Sequence, residues 1–169
     1  MKRIAVLAAT LLALPAAASD TKFFQAILDG YQEVPSVATR GTGVFTASSN
    51  SERTRVEYTL TFANMAAPVT QSHIHFSQTG VNGAIIIWLC GTTSNPGPAG
   101  TPTCPQGGGT ISGIFTAENV LAAPSTQQLA AGQITQFVDA MRSNAAYANV
   151  HTTASPGGEI RGQIFGWGR

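Results

Sequence analysis

Three histidines, His73, His75 and His151, are the only imidazoles in the 169-residue chain. Imidazole nitrogens suit zinc and copper alike. His73 and His75 stand two apart in Ser72–Phe76, which alternates polar and apolar residues. On a strand, residues i and i+2 point to one face, so the pair has the geometry of two ligands for one metal. A third imidazole from a neighbouring strand would complete a three-nitrogen site with one open position, the arrangement of catalytic zinc. The alternative is structural: three rings hydrogen-bonded to backbone or hydroxyl groups in a polar part of the domain.

Other chemistry is poorly represented. No serine lies in a G-x-S-x-G elbow, so no nucleophile constellation stands out. Glu33 reads as a loop carboxylate that accepts backbone hydrogen bonds. Glu159 and Arg161, also two apart, read as a strand-face pair that satisfies each other's charge. Trp88 reads as core and Trp167 as chain-end packing.

Positioning these groups requires strands. Val56, Tyr58, Leu60 and Phe62 alternate with polar residues over 54–62, the period of a half-buried strand. Further strands are predicted at 22–28, 43–47, 72–76, 110–116, 147–152 and 159–165. The unbroken apolar run Ala84–Cys90 predicts a central strand buried on both faces. Ile134, Phe137, Val138 and Met141 fall at i, i+3, i+4 and i+7, which predicts one short amphipathic helix. Ser125 and Gln128 have capping-box spacing and allow an earlier start. Roughly eight short strands separated by turns predict a mostly β fold: a single antiparallel β-sandwich or barrel-like domain with that helix across one end or edge.

Ser155-Pro156-Gly157-Gly158 has the chemistry of a type II turn. A hairpin closed at Pro156-Gly157 places Thr152 opposite Arg161 and His151 opposite Gly162. His151 then faces inward beside a glycine that leaves room for its ring, with Glu159 and Arg161 on the other face. Ile74 and Phe76 look like the core side of their strand, which turns His73 and His75 outward. A convergent triad would then need a bulge to reverse one strand.

The N-terminus has the three parts of a secretory signal peptide: Lys2 and Arg3, an apolar run from Ile4 to Leu14, and the small residues Ala16-Ala17-Ala18. The expected division is a signal peptide over 1–18 and one domain over 19–169, with a secreted or periplasmic destination. The apolar run is shorter than the ~20 residues that span a bilayer, and no later segment of that length lacks polar residues, so no transmembrane helix is expected. With Lys2 and Arg3 removed, seven basic face eight acidic residues, and there is no basic patch to suggest a nucleic-acid partner. In an oxidising compartment Cys90 and Cys104 are most simply a disulfide, pinning the loop between them.

Four motifs stand in a familiar order. They are Gln32-Glu33-Val34-Pro35; His73-Ile74-His75-Phe76 followed by Asn82-Gly83; Tyr147-Ala148-Asn149-Val150-His151-Thr152; and Pro156-Gly157-Gly158-Glu159-Ile160-Arg161-Gly162-Gln163. Together they resemble the chordin-domain (CHRD) family over Phe23 to Ile164. Ala148 stands where the family pattern has valine, at a packing position. The resemblance implies an exported β-sandwich module with no established catalysis, binding a protein or small ligand, as in animal chordin, a growth-factor binder. The His-x-His pair also has a fainter likeness to copper/zinc superoxide dismutase. That enzyme needs a bridging and further histidines which this chain lacks, arguing against dismutation. The function expected is a non-enzymatic exported binding or structural module, the alternative a copper or zinc protein built on His73, His75 and His151.

Overall fold

The computed structural model describes residues 22–167. Among them, nine strands form one antiparallel sheet: β1 Lys22–Asp29, β2 Thr42–Ser49, β3 Arg55–Ala63, β4 Val69–Phe76, β5 Ala84–Cys90, β6 Gly108–Thr116, β7 Ala146–Thr152, β8 Ile160–Gln163 and β9 Phe165–Trp167. The order is β5-β4-β7-β8-β1-β2-β3-β6, with β9 paired to β1. The sheet curls until its ends approach, as in a nearly closed barrel. The Tyr58 hydroxyl of β3 donates to Leu89 O of β5 at 3.2 Å, and Leu121 N, just after β6, donates to Ile86 O at 3.0 Å. The expected signal segment lies outside the described residues.

The core fills the inner face. Phe24, Ala26 and Leu28 of β1 pair with Ala47, Phe45 and Gly43 of β2, and Phe45 with Leu60 of β3; the side chains of these apolar residues are buried. Ile74, Ala148, Val150 and Ile160 continue that face through β4, β7 and β8. The helix α1, Ile134–Arg142, buries Ile134, Phe137, Val138 and Met141 as the periodicity predicts. It does not begin earlier: Ser125–Gln127 is a separate 3-10 turn ended by Gln128 in the left-handed conformation.

Three sequence expectations are corrected. β5 lies at one end of the strand order, not its centre; its inner side meets the core while loops and the Leu121 bond cover its edge. The last strand divides into β8 and β9, with Ile164 between them and Glu159 outside. The β7–β8 register is shifted by three residues. Asn149 faces Arg161 and Ala148 faces Gly162. Two successive turns consume the difference: Ser155 N donates to Thr152 O, and Gly158 N to Ser155 O. Gly162 therefore makes no space for His151. A Cβ there would stand 2.4 Å from Ile27 O, so its bareness serves the close approach of β8 to β1.

Cys90 and Cys104, 14 positions apart in sequence, form a disulfide with Cα atoms 5.0 Å apart. The bridge agrees with the oxidising compartment expected from the sequence.

Candidate metal centre

The corrected register gathers the histidines. β4 pairs with β7 so that Gln71 faces His151, His73 faces Asn149 and His75 faces Tyr147. Directly opposed residues share a face, so all three imidazoles lie on the outer face of the sheet, away from the Ile74–Val150 core. The outward orientation expected for His73 and His75 holds, while His151 turns the same way instead of inward. The bulge expected to reverse one strand is not needed: the bulges near His73 and His75 interrupt only the β4–β5 pairing, and Gln71 to Phe76 stay in continuous register with β7.

This outer face is nevertheless buried. His73 is fully enclosed, and His75 and His151 are only 7% and 6% exposed. Segments 33–34, 81–83 and 156–158 cover it through polar contacts. His75 Nδ1 lies 3.0 Å from Gly83 O, and His151 Nδ1 lies 2.9 Å from Pro156 O. A carbonyl only accepts, so in the neutral rings each Nδ1 carries the proton, and Nε2 of His151 faces His73 Nδ1 while Nε2 of His75 faces Asn149 Oδ1. His73 Nδ1 lies 3.2 Å from His151 Nε2, while His73 Nε2 is buried without a hydrogen-bond partner. One nitrogen from each ring can be chosen so that all three lie within 4.8 Å of one another. Two nitrogens on a tetrahedral metal at ~2.0–2.1 Å stand about 3.3 Å apart, close to the His73–His151 separation.

Neighbouring groups fix the rings. The Trp88 ring meets His73 edge-on at 4.3 Å; it is half-buried, not a core residue as the sequence suggested. The Tyr147 ring stacks on His75 at 4.6 Å, and the Arg161 guanidinium lies 3.4 Å from the centroid of the Tyr147 ring. Arg161 Nη1 donates to Asn82 Oδ1 at 3.0 Å and Nη2 to Val81 O at 2.8 Å. Asn149 Oδ1 lies 3.1 Å from His75 Nε2, and the Asn149 side chain also hydrogen-bonds Glu33.

Glu159 does not pair with Arg161, contrary to the strand-face reading. It sits before β8 and accepts from Thr39 Oγ1, Ala66 N and Thr152 Oγ1 at 2.7, 2.8 and 2.7 Å. Glu33 is buried, with Oε1 unpartnered, in the space a Cβ on Gly158 would need. It is a covering-loop residue as expected, yet a desolvated one.

Burial sets the charge states. It pushes His73 down to about 2, helped by His151 and His75, and His75 down to about 4 against its bond to Gly83 O. Burial likewise lowers His151. The rings are therefore neutral and able to ligate near neutral pH. Burial raises Glu33 to about 7, opposed by Arg161 and by hydrogen bonds from Val34 and Asn149.

Sequence reasoning missed Tyr147, Asn149 and Arg161 as neighbours of the triad. The signal was present: Tyr147, Asn149 and His151 alternate along one strand and so share a face.

The sequence model of the CHRD domain matches residues 24–164, nearly the whole chain. No curated protein and no solved structure matches it. Among the described residues, no helix is long and apolar enough to cross a membrane.

Proposed function

The chain belongs to the CHRD domain family, and from that premise we propose that it is an exported, secreted or periplasmic, non-enzymatic binding module whose outer-face pocket holds one copper or zinc ion. The family suggests binding without catalysis, and the disulfide is consistent with secretion. The ligands are His73, His75 and His151.

One observation carries the metal reading. His151 commits Nδ1–H to Pro156 O, which fixes the tautomer that offers Nε2, and Gly83 O does the same for the neutral ring of His75, whose Nε2 faces Asn149 Oδ1. Metal-ligating histidines are oriented by such contacts, which hold the ring and raise its basicity.

The test is metal content after dialysis. Protein from Ser19 onward, equilibrated with copper or zinc sulfate and then freed of unbound ion, should retain one equivalent. His151→Ala and His73→Ala should retain far less while keeping the wild-type far-ultraviolet circular dichroism. Equal, substoichiometric metal in all three proteins would identify the triad as a hydrogen-bonded cluster serving the fold.

A further inference from the structure

Resting on the three-imidazole reading above, we infer that the site selects cuprous ion, Cu(I), over Zn(II) and Cu(II). Charge is the first reason. The cluster consists of His73, His75 and His151 with no carboxylate or thiolate among its members. Three neutral donors leave the bound ion's whole charge in place. The cost of moving an ion out of water grows with the square of its charge, so a dication is penalised about four times as heavily as a monocation. All three rings are more than nine-tenths buried, so solvent does little to relieve that cost.

The surroundings sharpen it. Arg161 holds a fixed positive charge over Tyr147, whose ring is stacked on His75. Two carboxylates are buried nearby. Glu159 accepts three hydrogen bonds from Thr39, Ala66 and Thr152, and Glu33 lies over Gly158 under the influence of Arg161. Neither is a ligand, and burial holds Glu33, raised to about 7, in good part protonated near neutral pH.

Ligand number is the second reason. Zinc takes four ligands and Cu(II) a square-planar or tetragonal set. Cu(I), a closed-shell ion without such a preference, is satisfied by three nitrogens. Trp88, edge-on to His73, and the Tyr147 ring, stacked on His75, line the cluster with aromatic surface instead of further anionic ligands. Imidazole ligation alone favours Cu(II) among divalent ions, so selection for Cu(I) has to arise from charge and enclosure.

The experiment compares dissociation constants in wild type and Asn149→Asp. Cu(I) is supplied anaerobically from its bicinchoninate complex with ascorbate, and Zn(II) and Cu(II) from chelators of known affinity. Wild type should hold Cu(I) at least about 100-fold more tightly than Zn(II), a difference of ~2.7 kcal/mol, and more tightly than Cu(II). Asn149→Asp keeps the side-chain shape and places a carboxylate beside His75, so it should narrow the Cu(I)-to-Zn(II) ratio at least about tenfold. His151→Ala should lose all three ions. Wild-type Zn(II) or Cu(II) binding as tight as Cu(I), abolished by His151→Ala, would overturn the cuprous selection and leave the three-histidine site standing. Binding of none of the ions would overturn both. An unchanged ratio in a folded Asn149→Asp protein would refute the charge explanation of selectivity.

Discussion

The outer face of the sheet is two different surfaces. Along β1, β2 and β3 it alternates in the simplest way: Phe24, Phe45 and Leu60 point inward, while Phe23, Gln25, Ile27, Val44 and Thr61 face solvent. Its polar groups meet water or one another, as in the Thr61–Thr110 hydroxyl pair at 2.9 Å. Along β7 and β8 every residue is buried on both faces. There the outward side chains are His151, Asn149, Tyr147, Arg161 and Gln163, each held by a specific partner. A solvent-facing strand tolerates almost any polar residue outward. A doubly buried one demands that every polar atom be paired, because an unpaired one costs free energy.

The contrast is broken most severely at Arg161, one of the largest fully buried side chains. Arg161→Met removes the cation over Tyr147 and leaves Val81 O and Asn82 Oδ1 without their donor. Urea unfolding should show a loss of about 1–3 kcal/mol. A loss below ~1 kcal/mol would mean that the covered face behaves like the open one.

Proton linkage sharpens it next. His73 and His75 are held well below their ordinary value, so in metal-free protein the unfolded chain takes up protons that the folded rings refuse. Their contribution is complete above about pH 6.5 and is lost as pH falls toward about 4 for His75 and about 2 for His73. Glu33 acts in the opposite sense. Raised to about 7, it keeps a proton in the fold that the unfolded chain releases, so its contribution is full below about pH 4.5 and lost as pH rises through 7. Glu33→Gln removes the opposing effect. Between pH 4.5 and 7 its unfolding free energy should climb more steeply with pH than that of wild type, by up to about 1.4 kcal/mol per pH unit. Parallel curves would show that Glu33 titrates as it does in the unfolded chain.

The smallest effect is expected on the open face. Ile27 is 57% exposed there, and Ile27→Thr should change stability by no more than about 0.5 kcal/mol in the same urea assay. A larger loss would make that surface part of the packed structure.

The two surfaces also differ in how legible they are from sequence. Period-two alternation gives β1, β2 and β3 within a residue or two, because one face is apolar and the other wet. The same logic places His73 and His75 outward. It fails at β5, whose apolar run signals burial; burial comes equally from being central and from being covered at an edge. It fails again at His151, whose face depends on the hairpin register. Ser155-Pro156-Gly157-Gly158 is a turn but not the expected type II, since the positive φ falls on Gly158 and not on Gly157, and the Thr152–Ser155 turn before it is set by hydrogen bonds to the Thr152 carbonyl and hydroxyl, which spacing alone does not reveal. Tyr147, Asn149 and Arg161 follow His151, so the neighbours of the site became visible only once that register was known.

The central claim is that the buried outer face converges three imidazoles on a metal. Anomalous diffraction at the copper and zinc absorption edges, from crystals grown with each metal, tests it most directly. The account predicts one strong peak on the outer face at about 2.0–2.1 Å from a nitrogen of each of His73, His75 and His151, with His75 and His151 Nδ1 still on Gly83 O and Pro156 O. Well-ordered rings with no peak between them at saturating metal would contradict it.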